Sequence, residues 1–217
     1  MKSNDFDAVA PIYDFLANLI FQKNIFHSQL IYITKIPANA EILIIGGGTG
    51  KIVNEILKVN PQVKITYVES SKKMLKISIS RIDKADRAKI DFLHGDENSL
   101  LSFNKASFDI IITNFFLDVF PADQLIQVMQ FLKNVLKENG KWIHTDFINP
   151  KNEKFPYLIS ALIKAMYLFF RTFCQLEGKE LLNFKTYFQN LGFQEEESHL
   201  FFHKMISAEY YKQNVYN

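Results

Sequence analysis

Cysteine is almost missing from this chain. Cys174 stands alone among 217 residues, so no internal disulfide framework is available and the composition suits a reducing compartment, with the cytoplasm as the expected location. Glycine (8) and proline (6) are sparse as well, and no linker, repeat or low-complexity tract divides the chain, so residues 1–217 are expected to form one domain. No dense basic run occurs. With a formal net charge of +2 and lysines spread along the sequence, there is no electrostatic footprint for nucleic acid. The N-terminus, Met1-Lys2-Ser3-Asn4-Asp5-Phe6-Asp7, is polar and carries no signal-peptide pattern. The longest apolar segment, Tyr157 to Phe170, is interrupted by Lys164 and is short for a transmembrane segment. Metal ligands are equally scarce: in strands His199 and His203 would lie about 13 Å apart at a rise near 3.3 Å per residue, and no Cys or His cluster surrounds them, so no metal site is expected.

What the chain does have is Ile42-Leu43-Ile44-Ile45-Gly46-Gly47-Gly48-Thr49-Gly50-Lys51-Ile52. An apolar run meets four glycines in five residues and gives way to helical spacing, which predicts a buried strand, a tight turn and a helix start. Gly46, Gly48 and Gly50 permit positive φ and leave no Cβ between chain and ligand. Free N–H groups at the helix start would add donors for a polar or acidic ligand group. A phosphate-cradling P-loop needs glycine where Ile45 stands and Ser or Thr where Ile52 stands, so it is excluded. A dinucleotide fingerprint needs its third glycine at Lys51, which weakens that reading. A turn that is simply packed tightly would carry the same glycines.

The surviving pattern, Gly46-x-Gly48-x-Gly50, resembles motif I of the class I S-adenosylmethionine-dependent methyltransferases, with Ile44 in place of the acid that often opens that motif. Further phrases extend the resemblance along the chain. Phe6-Asp7-Ala8-Val9-Ala10-Pro11-Ile12-Tyr13-Asp14 is similar to the segment that closes over the methyl donor in small-molecule members of the quinone C-methyltransferase type, and the match carries across to Tyr13. The family's fold is α/β: a doubly wound, seven-stranded, mostly parallel sheet with an antiparallel hairpin at its C-terminal edge and helices on both faces. The resemblance implies a helical lid at residues 1–35 and a helical substrate-covering insertion at 150–191.

The remaining periodicities fit that plan. Val63–Val68 reads as the second strand, with Glu69 at its end, where a carboxylate accepts from ribose hydroxyls or caps the helix that follows Ser70 and Ser71. Ile90–His94 reads as the third strand. Asp96 in the turn after it matches the family's acceptor for the adenine amino group, with Glu97 beside it. Phe108–Thr113 is the fourth strand, and Asn114 and Phe115 fall where the methionine end of the cofactor lies. Asp123–Lys137 is an amphipathic helix closed by Gly140, Lys141–Phe147 is the fifth strand, and Glu197–Phe202 with Met205–Tyr211 is a hairpin.

The resemblance thus implies a cofactor set of Tyr13, Gly46, Gly47, Gly48, Gly50, Glu69, Ser70, Asp96, Glu97, Asn114 and Phe115 for S-adenosylmethionine. Asp118 and His144 are candidate bases on the substrate side, and no catalytic residue is assigned. The acceptor is expected to be a small molecule, partly apolar because helices rich in aromatic residues occur at both ends of the sheet. The 21 phenylalanines fit an aromatic-lined pocket as well as a plain compositional bias. Three other functions share parts of this pattern: an aminopropyltransferase of the spermidine synthase type, a nicotinamide oxidoreductase, and a binding module without turnover.

Overall fold

The computed structural model describes residues 23–148 and 183–214. Seven strands form one sheet: β1 (Glu41–Ile45), β2 (Lys64–Glu69), β3 (Ile90–His94), β4 (Phe108–Asn114), β5 (Leu136–Phe147), β6 (Phe193–Phe201) and β7 (Ile206–Gln213), in the order β3-β2-β1-β4-β5-β7-β6. The first five pair in parallel and β7 runs antiparallel to both β5 and β6. Among the described residues five helices flank it: α1 (Asn24–Leu30), α2 (Lys51–Val59), α3 (Lys72–Arg81), α4 (Ala122–Val135) and α5 (Phe184–Asn190).

The middles of the central strands, Ile42–Ile45 of β1 and Ile110–Ile112 of β4, are apolar without alternation because both faces are covered. Along β1, Ile42 and Ile44 pack with Ile52, Val53, Ile56 and Leu57 of α2. Leu43 and Ile45 point the other way, into a layer with Leu125, Met129 and Leu132 of α4 and Phe184 and Phe188 of α5. The chain runs outward from β1 to β3 and returns to β4 on the other side of β1. This places a topological switch at the carboxyl ends of β1 and β4, where a crevice opens.

Three boundaries differ from the sequence expectation. Helix α4 ends at Val135, and Leu136 is already extended (φ −76°, ψ 136°). Gly140 therefore caps no helix. It lies inside β5, where the register with β4 shifts between Phe108 and Ile110, and an added Cβ would sit 2.5 Å from Leu136 Cδ1. Strand β6 starts at Phe193, four residues before Glu197, since as an edge strand it carries Glu195, Glu196 and Glu197 in ion pairs with Lys185, Lys141 and Lys212, and Lys35. Polarity masked the strand pattern there.

The described part of the expected lid, residues 23–35, also packs on the sheet. Tyr32 is buried, and its hydroxyl donates to Ala208 O (3.4 Å) and lies 3.0 Å from His199 Nδ1. Likewise α5, within the expected insertion, buries Phe184 and Phe188 in the core. Tyr13, with the rest of the expected lid, and residues 150–182 of the insertion lie outside the described residues.

Candidate functional site

The crevice is built on the glycine turn. Gly46, Gly48 and Gly50 have φ of 66°, 63° and 74°, a region costly for other L-residues. Packing forbids side chains at three of the four glycines: a Cβ at Gly46 would meet Phe116 at 2.5 Å, at Gly47 the Tyr67 ring at 2.2 Å, and at Gly50 Ser78 Cβ at 2.6 Å. Gly48 alone faces open space. The glycine amides of the turn are themselves committed. Gly46 and Gly47 N–H donate to Val68 O, Gly50 N–H to Gly47 O, and Gly48 N–H to Glu69 Oε2 (2.7 Å).

Glu69 ties the turn to the next element. It is 5% exposed, and its other oxygen accepts from Ser71 N–H at 2.7 Å, where Ser71 Oγ in turn caps α3 by accepting from Met74 N–H. Burial raises its pKa, while the backbone donors of Ser71 and Gly48 act in the opposite direction. The structural reading of this residue is met at the start of α3, and each oxygen keeps lone-pair capacity for a further donor. Asp96 Oδ1 accepts from Asn98 N–H (3.0 Å) and fixes the turn after β3.

One open cavity of about 720 Å³ runs along these groups, lined by Gly46, Gly48, Glu69, Ser70, Asp96, Glu97, Asn114 and Phe115. A second, of about 670 Å³, lies between the turn and α1 and meets the first at Gly46, Gly48, Asn114 and Phe115; Ile25, Phe26, Gln29 and Lys51 form its further walls. The sequence reading missed Met74, Phe116, Val119 and Phe120 on the first cavity. Their apolar character marked them only as core, and the short turn Leu117–Val119 after β4 is what swings the last three across the crevice.

Known proteins are similar to this chain. A family model described as a methyltransferase domain matches residues 43–142. A demethylmenaquinone methyltransferase of Thermotoga maritima is 26% identical over 152 residues, covering 69% of this chain and 63% of that protein, so the match spans under two thirds of the relative. A second protein of that name, from Listeria welshimeri, is 22% identical over 178 residues, covering 81% and 74% of the two chains. A methyltransferase structure from Aquifex aeolicus described as SAM-dependent superposes with a TM-score of 0.63 at 13% identity over 95% of this chain and 97% of that one, a likeness of fold. These matches support a class I S-adenosylmethionine-dependent methyltransferase.

The site fits the cofactor of that class. Glu69 and Asp96 open onto one cavity, as a nucleoside with ribose and adenine donors requires. Asn114 Oδ1, buried at the junction of the two cavities, has no hydrogen-bond partner and suits an ammonium donor, while the partly buried Phe115 ring suits a sulfonium cation. A pyrophosphate fits poorly, because the glycine amides it would draw on are already bonded.

His144 is not at the site. It lies within β5, 1% exposed, with Nδ1 3.1 Å from Thr113 Oγ1 and its ring packed on Phe184 and Phe188. It lines neither cavity: alternation along β5 turns it onto the sheet face beneath α5. Burial pushes its pKa down to about 3. An unfolded imidazole takes up its proton near pH 6.5, so below that pH unfolding gains a proton that the native state refuses, and stability falls as pH drops toward 3. Urea unfolding of His144→Leu is expected to lose less stability between pH 7 and 4.5 than wild type, by on the order of 2 kcal/mol; equal losses would place the acid sensitivity elsewhere.

Asp118 is partly buried and follows β4 directly. Its backbone N–H donates to Asp146 Oδ2 at 3.2 Å, Asp146 being 1% exposed in β5. Asp146 was not singled out from sequence, because only the register of β4 with β5 brings it there.

Proposed function

We propose that this methyltransferase transfers the methyl group of S-adenosylmethionine to a small, partly apolar acceptor of quinol or phenol type, in line with the printed activity of its relatives. One observation carries the reading: a single cavity has the carboxylates Glu69 and Asp96 at one end and Phe115, Phe116, Val119 and Phe120 at the other. The polar end matches a nucleoside and the apolar end an aromatic acceptor. When bound, the cofactor supplies a methyl group on positively charged sulfur, a leaving group that needs no protonation. The chain's own task is then to hold the acceptor in line with the methyl–sulfur bond and keep water out, which the buried Phe116 and Phe120 favour. A cytoplasmic location belongs to the same proposal and rests on the single Cys174. Among the described residues no helix is long and apolar enough to cross a membrane.

Titration calorimetry with S-adenosylmethionine, its decarboxylated form and NAD tests the cofactor. The expected result is a strong heat with the first and none with NAD. A labelled-methyl assay with 1,4-naphthoquinol tests the acceptor class, and label retained only on polar metabolites would overturn it. Binding of S-adenosylmethionine without transfer to any acceptor would favour a binding module, and preference for the decarboxylated form an aminopropyltransferase.

A further inference from the structure

The two carboxylates that face the first cavity are carried by different strands. Glu69 ends β2 and Asp96 follows β3, so their spacing depends on how the carboxyl ends of these strands are tied together. Two hydrogen bonds do this. Gly95 N–H donates to Glu69 O at 3.1 Å, and His94, paired with Glu69 in the β2–β3 register, places its ring Nε2 2.9 Å from Ser70 O. A carbonyl oxygen only accepts, so Nε2 carries the proton there. The second bond falls on a peptide unit that has a further partner. The plane that holds Ser70 C=O also holds Ser71 N–H, and this N–H donates to Glu69 Oε1 at 2.7 Å. Rotation of the peptide moves both groups together, so whatever holds the carbonyl also aims the N–H. His94 Nε2, the Ser70–Ser71 peptide and the Glu69 carboxylate thus form a chain of hydrogen bonds that Glu69 Oε2 continues to Gly48 N–H at 2.7 Å, and bonds in such a chain strengthen one another. The outer end of the chain is exposed at His94, while Glu69 and Ser71 are buried.

We propose that His94 is a positioning residue for the cofactor: by donating to Ser70 O it aims Ser71 N–H at Glu69 and holds the Glu69 carboxylate at the distance from Asp96 that a nucleoside spans. This rests on the methyl-transfer reading above. His94 is not placed to meet the ligand itself, since it lines neither cavity; it acts through the peptide. Without its ring the Ser70–Ser71 unit loses its outer anchor, and the orientation of Glu69 loosens with it. In sequence His94 only closes the third strand, and parallel pairing with β2 is what brings it to Ser70.

Two measurements test the assignment. Imidazole ¹⁵N NMR of the folded protein, which needs no ligand, is expected to show the neutral His94 ring as the Nε2–H tautomer. An Nδ1–H tautomer would overturn the proposal, because Nε2 could not then donate. Calorimetry with S-adenosylhomocysteine reads the consequence. His94→Ala, at an exposed position, is expected to keep the wild-type circular dichroism and to weaken binding about three- to tenfold, the range of one hydrogen bond. A smaller loss would overturn the proposal. His94→Gln, whose side-chain amide keeps a donor at similar reach, should stay within about twofold of wild type; a Gln variant as weak as the Ala variant would show that the bulk of the ring matters and not its donor, and would sink the idea. In a Glu69→Ala background the His94→Ala change should cost less than about twofold more, because nothing is left for it to position, whereas full additivity would mean an effect independent of Glu69 and contradict the proposal. If the wild type bound no S-adenosylhomocysteine, the methyl-transfer reading would fail and this proposal with it; binding that His94→Ala leaves unchanged would overturn the proposal alone.

Discussion

Glu69→Ala is expected to weaken binding of S-adenosylmethionine by about 100-fold or more, because hydrogen bonds to a charged group contribute about 1.5–3 kcal/mol each and, on the binding mode proposed above, two ribose hydroxyls would lose their acceptor. The carboxylate also fixes the shape of the pocket. Its oxygens hold Gly48 N–H and Ser71 N–H at 2.7 Å, so its loss frees both the glycine turn and the start of α3. The effect on folding is expected to be small by comparison: two amides lose partners, but a buried charge whose pKa is already raised by desolvation is also removed. Calorimetry on a variant with unchanged circular dichroism separates these effects. Affinity within about fivefold of wild type would mean that Glu69 serves α3 alone, since an acceptor of ribose hydroxyls contributes more than that.

Gly47→Ala and Gly48→Ala should fail in opposite ways. At Gly47 the new Cβ would lie 2.2–2.6 Å from three atoms of the Tyr67 ring. Tyr67 is fully buried and anchored by its hydroxyl to Gly48 O at 2.8 Å. Overpacking a site with so little freedom costs about 1–3 kcal/mol, occasionally more, so Gly47→Ala is expected to lower the unfolding midpoint clearly. At Gly48 no atom lies within 4 Å of the new Cβ, and the cost is the positive φ, about 1–2 kcal/mol. That variant should fold and still lose cofactor affinity, because its methyl group enters the space where the two cavities meet. If Gly48→Ala bound the cofactor like wild type while Gly47→Ala remained fully stable, the geometry described for this turn would be wrong.

Much of this architecture was legible in one dimension. The run Ile42–Ile45 reads as a strand covered on both faces, and β1 pairs on both sides. The three positive-φ glycines of the turn are those that the spacing marked, and the terminal hairpin spans both runs expected of it, 197–202 and 205–211. Of the residues expected on the cofactor side, the glycines, Glu69, Ser70, Asp96, Glu97, Asn114 and Phe115 come together around the two cavities.

What escaped the sequence depends on register or on three-dimensional bonding. Gly140 looked like a helix stop because glycine after a helical run usually is one; a shift in the β4–β5 register decided otherwise. His144 looked reactive because it ends a conspicuous strand phrase, yet alternation along β5 turns it under α5. Asp146 needed its contact with Asp118 to become visible. The partners of the Gly46, Gly47 and Gly48 amides, Val68 O and the Glu69 carboxylate, lie about twenty residues away in sequence and reach the turn only through parallel pairing.

The central claim is that one nucleoside spans the carboxyl ends of β1, β2 and β3. Hydrogen–deuterium exchange with and without S-adenosylhomocysteine tests it most directly. Added ligand should slow exchange together in residues 46–50, 69–74, 95–98 and 114–117, and leave the β6–β7 hairpin unchanged. Protection of the glycine turn with none at 69–74 and 95–98 would contradict the account, for the ligand would then be held without either carboxylate.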